Sequence, residues 1–362
     1  MTAEPEAAAR ALSVRLFVAA LSTQESLAAY IGVKLGLYAS LAGGGPASAD
    51  ELAERTGLAP RYLREWLEQQ AVCGYLAVVD DGDGTPAGRV FGLPAGHERV
   101  LVASADPMSL VSTALLPLGG VAAALPSLLD AFRTGAGVSD EVYGDDWRQG
   151  HGGANRAVFT GQLAGWVRDH APGVHERLTA RPARVADLGS GAGWASIALA
   201  HAYPLATITG YDLDEQTVAE ANERAAAEGL AGRVSFRVVD VGELTGEAFD
   251  LVCLFDTLHE VGQPVEVLAA CRRLRAEGGD VLVLDARVRD RFTAPADDVE
   301  RFQYATSLLH CLPAGLAAKD STATGTVMRA AEVVRMARAA GFKRVRRADV
   351  GDRFHRLYQL DG

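Results

Sequence analysis

Two hydrophobic rhythms run along the chain, and one gives way to the other. Up to about residue 92 the spacing is helical. Apolar residues recur at three- and four-residue intervals from Ser26 to Leu41, which predicts a helix closed by Gly43-Gly44-Gly45-Pro46. Ser48-Ala49-Asp50-Glu51 reads as a capping box ahead of Leu52 and Ala53, so a second helix is expected to start there and end at Gly57. A third is predicted from Pro60 to about Gly74, with Leu63, Trp66, Leu67 and Ala71 on one stripe. Tyr75-Leu76-Ala77-Val78-Val79, a turn rich in Asp and Gly, and Arg89-Val90-Phe91 then read as a short β-ribbon.

From Arg184 strand and helix alternate. Strands are predicted at Val185–Leu188, Thr207–Asp212, Val234–Asp240, Phe249–Phe255 and Asp280–Asp285, with two more around Val345 and Tyr358. Helices are expected through Ile197 and Leu199 and from Glu215 to about Glu228. Such alternation implies a doubly wound α/β domain, a mostly parallel sheet of seven strands with helices on both faces.

The N-terminal pattern resembles a winged helix, a fold that often docks on DNA. Its charge argues against that use. Arg61 and Arg64 on the third helix are offset by Glu65 and Glu68, and the wing tip carries Asp80, Asp81 and Asp83. The first hundred residues hold 8 Lys and Arg against 12 Asp and Glu, the wrong sign for a groove lined with phosphates. The whole chain carries a net charge of −11, so no nucleic-acid partner is expected.

Between the two patterns, Pro107 to Leu129 contains no charged residue, long enough to raise the question of a membrane span. Pro117, Gly119-Gly120 and Pro126 are expected to interrupt any spanning helix, and both flanks are acidic, at Asp106 and Asp130. The stretch therefore reads as buried helices at a domain or subunit interface, with no membrane partner. Cys73, Cys253, Cys271 and Cys311 lie far apart, with no paired spacing. The first residues do not read as a charged-then-apolar secretory start, so a reduced cytoplasm is the expected compartment.

Chemistry gathers at the predicted strand ends. Asp187-Leu188-Gly189-Ser190-Gly191-Ala192-Gly193 follows the first strand and opens a helix, where an open α/β sheet binds its ligand. A dinucleotide fingerprint needs a small residue three positions after Gly191, and Trp194 stands there, which disfavours a nicotinamide oxidoreductase. An acid followed by three alternating glycines instead resembles motif I of class I S-adenosylmethionine (SAM) methyltransferases. Ile31-Gly32-Val33-Lys34-Leu35-Gly36-Leu37-Tyr38 and Leu52-Ala53-Glu54-Arg55-Thr56-Gly57-Leu58 look like the opening of the small-molecule O-methyltransferases, which place a winged-helix dimerisation module before a SAM domain.

The resemblance implies SAM as cofactor. Asp187 is expected to help hold its methionine end, Gly189, Gly191 and Gly193 to admit it closely, and Asp212 to accept from the ribose hydroxyls. Asp240 is expected to accept from the adenine amino group, and Leu213, Val241 and Phe255 complete the expected cofactor contacts. It further implies a homodimer formed through residues 1–100, a helical linker or lid over 101–170, and a Rossmann-like methyltransferase domain over 171–362.

The fourth strand runs into Asp256-Thr257-Leu258-His259-Glu260. In plant-type O-methyltransferases a His-Asp pair at this place supplies the catalytic base, and His259-Glu260 matches it except for Glu in place of Asp. That places His259 facing the transferred methyl group and outside any core. Adjacent side chains diverge, so Glu260 is a poor orienter of the imidazole. Farther on, Gln303, Thr306, Ser307 and His310 share one uncharged polar stripe of a helix, the character of a pocket lining. Three readings of His259 stand: a general base, a packed histidine, or a metal ligand with Glu260 and His310, two histidines and one carboxylate. Relatives of this architecture that act on α-keto acids use such a set to hold iron, so a divalent metal and carbon methylation form one alternative. Tyr143, His151 and Asn155, in a glycine-rich loop, join Gln303 and Ser307 as candidate substrate contacts. The expected activity is methyl transfer to a small molecule, at an oxygen of an aromatic or polyketide-like metabolite. The non-enzymatic alternative is a winged-helix regulator with a SAM-fold sensor.

Overall fold

The computed structural model describes residues 3–362 except Asp83, Ser104 and Ala323. Asp83, read above as part of an acidic wing tip, therefore lies outside the described residues. The chain forms two compact units, residues 1–122 with 145–154, and residues 123–144 with 155–362.

In the first unit a helix of 32 residues runs Ala3–Lys34, beginning far before the predicted Ser26. It does not continue to Leu41, because Gly36 adopts a left-handed conformation (φ 67°) and a separate helix, Leu37–Gly44, follows. A residue with a Cβ is strained at that φ, so the break falls where glycine permits it. The capping box is present: the Ser48 side chain accepts from the Glu51 N–H and Glu51 accepts from the Ser48 N–H, opening the helix Ala49–Thr56. The helix Pro60–Val72 buries Leu63, Trp66 and Leu67 against Leu37, Tyr38, Leu41 and Leu52. β1 (Ala77–Asp80) and β2 (Val90–Gly92) pair antiparallel as the wing.

The uncharged stretch departs from expectation. A wide π turn, Val111–Leu115, leads directly into one continuous helix, Leu116–Thr134, with Pro126 inside it. Pro117 sits in the helix's first turn, where its missing N–H has no intrahelical partner to lose. The helix is only partly buried, since Leu125, Leu129 and Phe132 are exposed. By length and composition this helix and Ala3–Lys34 are both apolar enough to cross a membrane.

The second unit holds a seven-stranded sheet built from β3 (Ala183–Leu188), β4 (Ala206–Asp212), β5 (Val234–Val238), β6 (Phe249–Phe255), β7 (Arg275–Ala286), β8 (Arg344–Ala348) and β9 (His355–Asp361). Its order is β5-β4-β3-β6-β7-β9-β8, parallel except that β9 runs antiparallel to both β7 and β8. Successive strand residues point to opposite faces. Val185, Ile208, Leu251, Cys253, Leu282 and Leu284 join one core layer, whereas Ala186, Leu188, Val252, Leu254, Val281 and Val283 join the other. Both faces are covered, which is why these strands read as unbroken apolar runs. The order reverses between β3 and β6, so the crevice of an open α/β sheet opens at their C-terminal ends.

Candidate functional site

The crevice begins with the glycine loop. Past β3 the chain turns back sharply enough that the Gly189 and Ser190 N–H groups both donate to the Tyr211 carbonyl of β4, at 2.8 and 3.0 Å. Gly189 has φ 68°, and a Cβ there would lie 2.2 Å from the Thr257 side chain. Gly193 has φ 79°, and a Cβ would meet the Phe236 ring at 2.5 Å. Gly191, also at positive φ, differs: no protein atom lies within 4 Å of where its Cβ would be. Two glycines are thus demanded by the protein's own packing, and the third keeps the loop's outer surface bare.

Three carboxylates stand at successive strand ends. Asp187 is buried and accepts from the Ser196 hydroxyl at 2.7 Å, and burial pushes its carboxyl up to about 7. Asp212 accepts from the Gly191 N–H (2.8 Å) and the Asp214 N–H (3.1 Å), yet burial still holds it above the usual carboxylate range. Leu213, directly after it, is 70% exposed. Asp240 follows β5, exposed, and accepts from the Gly242 N–H at 2.8 Å, while Val241 packs against the second core layer. Phe255 ends β6, buried, with its ring centroid 6.3 Å from that of Phe159.

Beyond Phe255 the backbone does something rare for a residue with a side chain. Asp256 takes φ 57°, and its carboxylate accepts from the Asn155 amide at 2.6 Å. The turn that follows ties back to the glycine loop through the Thr257 hydroxyl, which donates to the Gly189 carbonyl at 3.1 Å. It then delivers His259 into the interior: the side chain is only 2% exposed, contrary to the expectation that it stands outside any core. Its partner is Asp285 near the end of β7. The imidazole Nδ1 lies 2.8 Å from Asp285 Oδ1, and the His259 backbone N–H reaches Oδ2 of the same carboxylate at 3.3 Å. Burial alone would lower the imidazole's pKa, but the Asp285 charge and their shared hydrogen bond hold it well above the ordinary histidine value.

Sequence reasoning did not single out Asp285 as a site residue, although it ends the fifth predicted strand as Asp212 ends the second. The rule applied to Asp187, Asp212 and Asp240 could have found it.

Glu260 does not orient His259; it stands on the far side of the ring. Its Oε1 lies 3.7 Å from His259 Nε2 and 3.7 Å from His310 Nδ1, and it accepts from the Cys311 thiol at 3.4 Å. Its side chain is 25% exposed, against 2% for either histidine. His310 Nε2 meets Asp140 Oδ1 at 2.8 Å, and the Tyr143 ring stacks edge-on to His310 with centroids 4.7 Å apart. The Tyr143 hydroxyl donates to the Leu309 carbonyl at 2.7 Å.

The polar stripe lies on the helix Asp298–Thr306 and the π turn Ser307–Cys311 that continues it. Gln303, Ser307 and His310 are buried along it, with exposed residues between. Cys311, next to His310 and eight positions after Gln303, is buried on the same face. Gly325 (φ 63°) closes over it, since a Cβ there would sit 2.2 Å from the Ser307 hydroxyl. Tyr143, Asn155, Gln303, Ser307, His259, Glu260 and His310 all belong to the second unit. His151 belongs to the first, where its ring lies 6.1 Å from that of Trp147.

Two sets of metal-capable groups occur among the described residues: His259, Glu260 and Cys311; and Asp256, His259 and Asp285. His310 is in neither. Each set has donors already engaged within the protein. Burial pushes the Cys311 thiol up to about 12, which keeps it protonated and donating to Glu260. In the second set, the His259 nitrogen nearest Asp285 is already committed to that carboxylate.

A seven-stranded, mostly parallel sheet with a glycine loop and acids at successive strand ends defines the class I methyltransferase fold, with which SAM is bound. The chain carries such a domain behind a winged helix-turn-helix domain: the family description "Methyltransferase domain" matches residues 181–341, and "Rv2258c-like winged HTH domain" matches residues 23–101. The mitomycin 7-O-methyltransferase structure superposes with a TM-score of 0.73 over 98% of this chain and 100% of its own, at 21% identity. Human N-acetylserotonin methyltransferase in complex with SAM gives 0.71 over 100% of both chains, at 18% identity. In sequence, a ubiquinone biosynthesis O-methyltransferase of Pseudomonas syringae is 33% identical over 111 residues, 30% of this chain and 46% of its own length. The chain spans less than half the length of the curated relatives it matches.

Proposed function

We propose that the protein transfers a methyl group from SAM to a hydroxyl oxygen of a small, aromatic or polyketide-like molecule, with His259 as the base that takes the hydroxyl proton. The observation carrying this reading is the buried His259–Asp285 pair at the ends of β6 and β7, tied to the glycine loop through Thr257. SAM supplies an electrophilic methyl on a sulfonium, so the protein's tasks are to position, to desolvate and to remove one proton. Asp285 fixes the imidazole with Nδ1 toward the carboxylate, leaving Nε2 as the nitrogen that accepts. Asp187 holds the ammonium end of the cofactor, and Asp212 and Asp240 take its ribose and adenine. Leu213, Val241 and Phe255 pack around it. Gly189, Gly191 and Gly193 let it approach the backbone. Tyr143, Asn155, Gln303 and Ser307 border the acceptor, Asn155 through its hold on Asp256. The oxygen acceptor accords with the names of the ubiquinone biosynthesis O-methyltransferase and the mitomycin 7-O-methyltransferase that the chain resembles.

The helix Ala3–Lys34 supports a homodimer. Leu12, Val14, Leu16, Phe17, Val18 and Leu21 on it are all exposed, more apolar surface on one helix than a solvated monomer ordinarily carries. The test of the whole reading is calorimetry with S-adenosylhomocysteine (SAH) and with NAD, followed by incubation with SAM and a panel of phenols, naphthols and hydroquinones. SAH binding and a product one methylene heavier are expected; NAD bound in its place would overturn the reading.

A further inference from the structure

We propose that Glu260 is the proton outlet of the site: it receives the proton that His259 takes from the acceptor and delivers it to solvent, held for that task by Cys311 and His310. The proposal rests on the methyltransferase reading and assigns a role to a residue which that reading leaves without one.

Each turnover releases one proton. The acceptor O–H bond breaks, the oxygen's electron pair forms the O–CH3 bond, the sulfonium carbon–sulfur bond breaks toward sulfur, and the proton goes to His259 Nε2. There it would stay. His259 and Asp285 are 2% and 1% exposed, so neither meets water, and the Asp285 charge favours the protonated ring. A base that binds its proton this well requires an exit for it. Toward Nε2, among the described residues, lie the Cys311 thiol and the Glu260 carboxylate. The thiol is itself protonated and donates to Glu260. Glu260 is an acceptor 3.7 Å from Nε2, and its side chain is the one in the cluster, histidines and Asp285 included, with a quarter of its surface exposed.

The 3.7 Å gap is longer than a hydrogen bond, so transfer takes a shift of under about 1 Å by a flexible side chain or one bridging water. The surroundings hold the carboxylate within that range. Cys311 donates from one side, and His310 faces it at 3.7 Å from the other. His310 is in turn fixed by Asp140 at 2.8 Å and by the Tyr143 ring. His310 and Asp140 are therefore positioning residues.

The experiment reads proton movement without an acceptor molecule. Solvent exchange of the His259 ring N–H protons is measured by nitrogen-15 NMR in wild type, Glu260→Gln and Glu260→Asp, with SAH calorimetry on each. Gln has nearly the same shape and no place for a proton. Exchange is expected to slow roughly a hundredfold in Glu260→Gln, the lower end of what a positioned proton carrier contributes. Glu260→Asp, which keeps a carboxylate on a shorter stem, should recover part of it. Equal exchange in wild type and Glu260→Gln, with SAH still bound, overturns the outlet and leaves the methyltransferase reading standing. Slowing by the same amount in Glu260→Asp also overturns it, because packing and not proton transfer would then be responsible. Wild type that binds no SAH fails the methyltransferase reading instead.

Discussion

Replacing Asp285 by Asn separates the charge of this residue from its shape. Asn keeps an oxygen to accept from the His259 ring but removes the charge that, against burial, holds the imidazole above its ordinary value. Without it, desolvation prevails and the pKa of His259 should fall below about 6.5. The stability effect follows from the sign of the shift. A histidine raised in the folded state contributes stability that is fully present below about pH 6.5 and is lost as pH rises through the folded value. Removing one partner of a pair this buried costs about 3 kcal/mol, the low end for such pairs because Asn retains a hydrogen bond. For a unit of this size that lowers Tm by roughly 6–12 °C. The loss should be largest near pH 6 and shrink at alkaline pH. Catalysis moves differently: the maximal rate drops by about 10²–10⁴-fold while the acid limb of the pH profile shifts to lower pH, since the base is neutral sooner. Histidine NMR titration, assigned with His259→Gln, and thermal melts across pH provide the assay. An unchanged His259 pKa, or a destabilisation equal at all pH values, would refute the reasoning.

Other consequences are open to simpler tests. Gly189→Ala drives a Cβ into Thr257 at a left-handed φ, so SAH affinity should fall at least tenfold by calorimetry, whereas Gly232→Ala, whose Cβ meets nothing within 4 Å at an ordinary φ, should be neutral. Burial pushes Asp187 up to about 7, so it carries a proton in part of the population at neutral pH. Pairing with a ligand ammonium ionises it, so SAH binding should release protons, read from calorimetry in buffers of different ionisation enthalpy; no release would separate Asp187 from the ammonium. Deleting residues 3–24 should convert a dimer to monomer in sedimentation experiments, and a wild-type monomer would remove the basis for that expectation. Gly325→Ala should destabilise the second unit by about 1–3 kcal/mol through clash with Ser307 at positive φ, and a melt within 1 °C of wild type would count against that packing.

The strands of the second unit were legible because both faces of the sheet are covered, so each reads as an apolar run ended by an acid, as Asp212 and Asp285 are. The capping box at Ser48 was legible for a local reason, since four residues contain the whole hydrogen-bond exchange. What escaped depended on partners distant in the chain. The helix break at Gly36 needed a backbone angle, and the unbroken helix through Pro126 shows that the local propensity of proline was overridden. The pairing of His259 with Asp285 spans 26 positions, and that of His310 with Asp140 spans 170, so neither leaves a periodic trace.

The division of the chain into units has a consequence for how such a protein can be recombined or dissected. It passes from one unit to the other at Ala122, at Gly144 and at Ala154, and Gly144 interrupts the helix Asp140–Ala154 with φ 69° and ψ −168°. Within the first unit, Asp146 is bound by Tyr30 and Lys34, so residues 145–154 are anchored to a helix more than a hundred positions earlier. A single crossover placed anywhere along the sequence therefore yields at most one intact unit, and a cut at a conventional linker such as residue 100 or 170 yields a fragment missing part of its own core. Exchange of the N-terminal module between relatives would have to carry the ten-residue segment with it. That makes the two units inherit together even though each has its own hydrophobic interior.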